Sequence, residues 1–181
     1  MNRLALTLLL VLVAGVAGAQ VTAFPAAGPT RVSQAANLST SALHTAAVAT
    51  DLLFAPANNT EYRIHGKLFV SSETNTGYAG GFQFVAPATD AIKGSCTVDI
   101  PDSIGAGATR TAPLVAGATS ASVLGVNSPA PLSTPVVFTL NCYLSTTTTT
   151  SGNFAVLFGG ENALGTYILY AKSYIDYEAL P

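Results

Sequence analysis

Residues 61–71 alternate strictly between two kinds of side chain. Tyr62, Ile64, Leu68 and Val70 fall on one face with Gly66 among them, and Arg63, His65, Lys67 and Phe69 fall on the other. Successive side chains of a strand point to opposite faces, whereas a helix brings together positions three and four apart. No helix places Arg63, His65 and Lys67 all away from that apolar set, so the stretch predicts a half-buried antiparallel strand. The pattern returns within 134–145, where Val136, Phe138, Leu140, Cys142 and Leu144 point one way. Phe69 breaks the polar face of the first strand. It has no core to enter there, and exposed apolar surface marks interfaces, so Phe69 is the candidate contact for self-association.

Further strands are predicted near 31–36, 41–49, 52–54, 79–87, 93–100, 114–126, 153–159, 165–170 and 173–178, divided by turns rich in Pro, Gly and Asn. Residues 101–113 hold Pro101, Gly105, Gly107 and Pro113 and predict a loop. The run Thr146 to Thr150 predicts a polar hairpin loop, with a glycan-bearing stretch as the other reading. No helix longer than two turns is predicted after residue 20, and no fixed repeat period is present. Eight to ten strands at this spacing predict an all-β chain folded as an antiparallel β-sandwich or jelly roll.

The N-terminus carries a different signal. A basic start at Arg3, an apolar run over 4–16, and Ala17-Gly18-Ala19 match the layout of a cleaved export leader. The run is shorter than the ~20 residues of a spanning helix. Residues 1–19 therefore predict a signal peptide, or else a retained apolar arm, which is the only part expected to meet a membrane. Residues 20–30, with Pro25, Gly28 and Pro29, predict an extended linker, and 31–181 a single domain. Cys96 and Cys142 both lie in that domain on core-facing positions. An even count behind an export leader points to one disulfide, whereas a reducing compartment would leave two buried thiols.

Several function classes find no support. Charged residues are 9% of the chain, net charge −2, and the basic residues Arg31, Arg63, Lys67, Lys93, Arg110 and Lys172 are scattered. Nucleic-acid binding needs a concentrated basic footprint, so no nucleic-acid partner is expected. The two carboxylate pairs that could be drawn for glycoside hydrolysis, Asp99 with Asp102 and Asp176 with Glu178, read as turn caps and a solvated strand face. His44 and His65 show no metal-ligand spacing, and Gly94-Ser95-Cys96 lacks the rest of a nucleophile elbow. No enzyme, cofactor, metal or catalytic residue is expected. Asn37-Leu38-Ser39 and Asn58-Asn59-Thr60 match the glycosylation pattern, as short patterns do by chance in a Ser/Thr-rich chain.

Three stretches carry a resemblance. They are 51–72 (DLLFAPANNTEYRIHGKLFVSS) with Thr76-Gly77 and 81–87 (GFQFVAP); 152–160 (GNFAVLFGG); and 171–178 (AKSYIDYE). Together they resemble a domain of bacteriophage virion structural proteins across roughly 50–180. The resemblance implies a jelly-roll-like sandwich, similar in architecture to the tumour-necrosis-factor and C1q-like domains. It implies a place on tail fibres, minor tail proteins, head fibres or capsid decoration, with a homo-oligomer, a trimer first, as partner. The expected function is thus a non-enzymatic virion structural protein at the virion surface or outside the cell. The leader and the cysteine pair support the alternative of a secreted bacterial surface protein such as an adhesin or filament subunit.

Overall fold

A computed structural model describes residues 28–72, 80–89, 91–100, 108–121, 123–124, 135–160 and 165–181. The expectations for the leader and for most of the linker lie outside these residues. The described residues form fourteen strands: β1 (Thr30–Ser33), β2 (Leu38–Thr40), β3 (Val48–Phe54), β4 (Glu61–Ser72), β5 (Gly81–Val85), β6 (Ala88–Thr89), β7 (Lys93–Ile100), β8 (Ala108–Pro113), β9 (Val123–Leu124), β10 (Val136–Ser145), β11 (Thr150–Ser151), β12 (Phe154–Gly159), β13 (Tyr167–Leu169) and β14 (Tyr174–Ala179). One 3₁₀ turn occupies His44–Ala46. The predicted antiparallel sandwich is what forms, with more strands than expected because several are only two or three residues long.

The large sheet runs β1–β14–β4–β10–β7–β8, every neighbour antiparallel. Strand β4 is twelve residues long. Its first half pairs with β14 and its last residues with β13, which also pairs with β2. The small sheet runs β3–β12–β5–β9, and β6 with β11 makes a separate ribbon. Alternation on β4 and β10 turns one apolar row of each strand inward, so Ile64, Leu68, Phe138, Leu140 and Leu144 are fully buried. They meet Leu52, Phe82, Phe84, Phe154, Val156 and Phe158 of the small sheet.

Aromatic rings link the two layers. Phe54 of the small sheet stacks on Tyr177 of the large one at 3.9 Å between centroids. Phe82 meets Phe138 edge-on at 5.4 Å. The edge-on arrangement of Phe82 and Phe138 suits the ring quadrupoles, and both pairs add to the area buried. Gly66 interrupts the inward row of β4 for a steric reason: a Cβ there would come 2.7 Å from the Tyr174 carbonyl oxygen and 3.1 Å from Ile175 Cγ2.

Cys96 and Cys142 face each other in register across β7 and β10 and are bonded, with Cα atoms 4.1 Å apart. A close, non-hydrogen-bonded antiparallel pair has this spacing. Both residues are buried.

Three local expectations fail. Ala108–Pro113 is a strand, not part of a loop. It lies at the edge of the sheet, where Pro113 is tolerated because one side needs no ladder partner. Within 41–49 the chain leaves the strand. His44 N donates to the Gly160 carbonyl and Gly160 N to the Ala42 carbonyl, both at 2.7 Å. A Cβ on Gly159 would meet the Leu43 carbonyl oxygen at 2.9 Å, so the two glycines admit this crossing. Among the described residues of 114–126, only Val123–Leu124 is strand; Gly117, at φ +63, belongs to a turn before it.

The threonine run braces a corner. Thr146 is buried, its hydroxyl donating to the Ala57 carbonyl at 2.7 Å and accepting from the Thr60 amide at 3.0 Å. Asn58 Oδ1 accepts from the Thr150 amide, and Thr150–Ser151 pairs with β6.

Candidate functional site

The outer face of the large sheet is built from the residues that alternation turns away from the core. The registers set them in rows that cross strands. One row reads Arg31, Asp176, His65, Asn141, Thr97, Thr111 over β1, β14, β4, β10, β7 and β8. A second reads Glu178, Arg63, Tyr143, Ser95, and a third Tyr174, Lys67, Thr139, Asp99, Thr109. Directly opposite residues in a sheet interact strongly enough to select partners, and here neighbours are chemically matched.

Arg31 donates to both carboxylate oxygens of Asp176 at 2.7 Å, while its guanidinium lies 3.9 Å from the centre of the Tyr174 ring. Arg63 donates to Glu178 at 3.3 Å. His65 Nδ1 and Asn141 Oδ1 are 2.8 Å apart. Lys67 donates to Thr139 and Thr109 to Asp99, at 2.8 and 2.7 Å.

The Arg31 hydrogen bonds hold the Asp176 carboxyl below its ordinary value of 3.8, against partial burial that pushes the other way. The Arg31 guanidinium is correspondingly raised. A carboxylate depressed in the folded state stabilises above its unfolded pKa, and that contribution disappears as pH falls through the lower folded value. Asp176→Asn is therefore expected to narrow the difference between urea midpoints at about pH 5 and about pH 2. The change is small, because the Arg31 side chain is more than half exposed and water screens the pair.

Arg63 and His65 separate two depressions on this face. A groove of about 650 Å³ runs from them past Ser95, Thr97, Asn141 and Tyr143 to Leu180. A smaller one of about 200 Å³ lies towards Pro29, Asp176 and Glu178. Tyr143 is 40% exposed. Interaction with the Glu61 carboxylate, together with burial, raises its phenol above the ordinary pKa.

Phe69 lies on this outer face, half-buried, opposite Val137. Lys172 Nζ stands 4.4 Å from the ring centre. The segment 170–173 that carries Lys172 is fixed to Phe69: Tyr170 N donates to the Phe69 carbonyl, and Ser173 Oγ accepts from the Phe69 amide, both at 2.9 Å. The ring is therefore partly covered by a cation of its own chain.

The outer face of the small sheet is chemically different. Its rows read Leu53, Ala155, Val85 and Ala49, Leu157, Gln83, with no charge in either. Leu53 is 38% exposed. Asp51, next along β3, is turned to local work: its carboxylate accepts from the buried Gln34 amide and from Ala35 N, tying the strand to the segment after β1.

Of the other residues singled out in the sequence, Asp99 is engaged by Thr109, and Asp102 lies outside the described residues. Asp176 and Glu178 each face an arginine, so the pair is partnered within the sheet. His44 Nδ1 is 3.2 Å from the Gly160 carbonyl oxygen. Asn37 Oδ1 accepts from Ala171 N. No group of three His, Cys, Asp or Glu stands together among the described residues. No helix among them is long and apolar enough to cross a membrane.

Compared with known protein families and with curated protein sequences, the chain matches none. Solved structures of infectious bursal disease virus do show a likeness. The VP2 subviral particle is 10% identical, covering 84% of this chain and 37% of that one at a TM-score of 0.22. The Gx strain of the same virus is 12% identical, covering 86% and 38% at 0.23. The chain thus spans well under half the length of those it is compared with. At that distance the likeness bears on neither partner nor activity, and no bacteriophage protein is among these two.

Proposed function

We propose that the chain is a non-enzymatic structural subunit of a virion, of capsid, decoration or fibre type, and that it works by assembling with copies of itself. The observation that carries assembly is the largely apolar outer face of the small sheet, where Asp51 is the charge and is taken up by Gln34 and Ala35. A sheet face left in water is ordinarily polar, and a contiguous apolar one marks a contact surface. Leu53, Val85, Ala155 and Leu157 make such a face beside Gln83, while the outer face of the large sheet sets Phe69, Val137 and Tyr143 among ordered polar rows. The motif resemblance over roughly 50–180 and the low charge of the chain support the virion setting, and a trimer is the closed form that resemblance implies.

Light scattering after gel filtration tests the assembly. The wild type should elute as an oligomer. Leu157→Asp should yield monomers with an unchanged thermal midpoint, since that side chain is not in the core. Phe69→Glu probes the other candidate contact. A wild type that stays monomeric at high concentration would sink the proposal.

The Cys96–Cys142 bond favours a second reading, a secreted cell-surface protein, because such bonds persist in oxidising compartments. Sequencing the N-terminus of the native protein separates the two. A chain beginning at Gln20 on a cell surface supports secretion, and residues 1–19 intact in a purified particle support the virion.

A further inference from the structure

We propose that the groove on the outer face of the large sheet, floored by Arg63, His65, Asn141 and Thr97 and walled by Tyr143 and Leu180, is a binding site for a neutral saccharide chain. It is a depression of about 650 Å³ open to solvent, as a site for one stretch of a longer chain would be. The depression beyond Arg63 and His65 allows a linear ligand to continue towards β14.

The class of ligand follows from what the groove can and cannot offer. Strands β4 and β10 are paired on both sides, so their backbone groups are taken up by ladders. A peptide adding as a strand needs a free sheet edge, and the floor has none. Recognition must therefore come from side chains. Charge is balanced along the groove and its extension, Arg63 facing Glu178 and Arg31 facing Asp176. An anionic ligand would meet two carboxylates in the smaller depression, and a cationic one would meet the Arg63 guanidinium in both.

What remains is a set of neutral donors and acceptors, of which His65 and Asn141 hold each other in place. His65 uses Nδ1 on Asn141, which leaves its Nε2 and the two Asn141 amide donors for a ligand. Ser95 and Thr97 add hydroxyls. Sugar hydroxyls both donate and accept, and match such a mixed set. The apolar half of a sugar ring, its C–H face, needs a flat apolar partner. Tyr143 supplies one at 40% exposure.

The test is a titration of the full-length protein by amide NMR with maltohexaose, cellohexaose and chitohexaose, beside 3′-sialyllactose and an extended threonine peptide. The expected result is saturable shifts with at least one neutral hexaose, centred on Arg63, His65, Asn141 and Tyr143. Tyr143→Ala and Asn141→Ala should each weaken that binding by about tenfold, as loss of one ring contact or one pair of hydrogen bonds would do. Both side chains are exposed, and unchanged melting of each variant shows that its fold is intact. The proposal is overturned by no saturable shift with any neutral hexaose, by shifts centred on the small sheet, by variants that bind as well as wild type, or by binding confined to sialyllactose or the peptide.

Discussion

Replacing Phe154 by alanine is expected to lower the free energy of unfolding by about 3–5 kcal/mol. Phe154 is fully buried on β12, which is paired on both sides within the small sheet. Its ring stands 5.6 Å from Phe54 and 6.4 Å from Phe84. Phe54 in turn stacks on Tyr177 of the large sheet. Truncation removes the middle of an aromatic chain that crosses the sandwich, and backbones held by ladders on both sides cannot collapse into the hole. For a domain of this size each kcal/mol shifts Tm by ~2–4 °C, so the melt should fall by roughly 6–20 °C. Phe154→Leu keeps most of the volume and should cost less. Urea unfolding of both variants checks this, and an alanine variant within about 1 kcal/mol of wild type would show that the sheets do not pack through this ring.

Removing the disulfide should cost about as much. The bonded residues are 46 positions apart, and closing a loop of that length restricts the unfolded chain by ~4 kcal/mol in the chain-entropy view. The suitable variant is Cys96→Ala with Cys142→Ala, because serine would bury hydroxyls among Val98, Leu140 and Leu144. Its urea midpoint should drop accordingly. Reductant added to the native wild type should do little at first, since both sulfurs are buried and reduction must wait for local opening. With denaturant present, reduction and loss of structure should coincide. Equal stability of the double-alanine variant and wild type would remove this account.

The features legible in the sequence are those that two-faced burial writes into a strand. On β4 and β10 the inward positions are large and apolar and the outward ones polar, so both strands and their faces could be read directly. The same rule put Cys96 and Cys142 on core-facing positions. Strand β8 was illegible because Ala112 is its only buried side chain, too small to mark a period. The crossing at His44 depends on Gly159 and Gly160, more than a hundred residues later. The polar rows were equally hidden. Arg31 and Asp176 are 145 positions apart, and Arg63 and Glu178 are 115 apart, so their partnership exists only once the registers are known. The solvated face assigned to Asp176 and Glu178 was thus correct as a face and incomplete as chemistry. The small sheet's apolar exterior was missed for a related reason. Leu53, Ala155 and Val85 come from three separate strands, and each alone reads as an ordinary apolar residue.

The registers also set the order in which the molecule can be made. Strand β4 is central to the large sheet, yet its partners are synthesised long after it: Lys67 bonds to Thr139, 72 residues on, and β14 comes later still. Strand β1 waits for β14 across most of the chain. Until those partners emerge, a long strand with one apolar face has both edges open, and non-local pairing of this kind is slow and exposed to aggregation. Folding of this sandwich therefore waits until β10 and β14 have been made, and a nascent chain halted before β10 would depend on a holding chaperone to stay soluble.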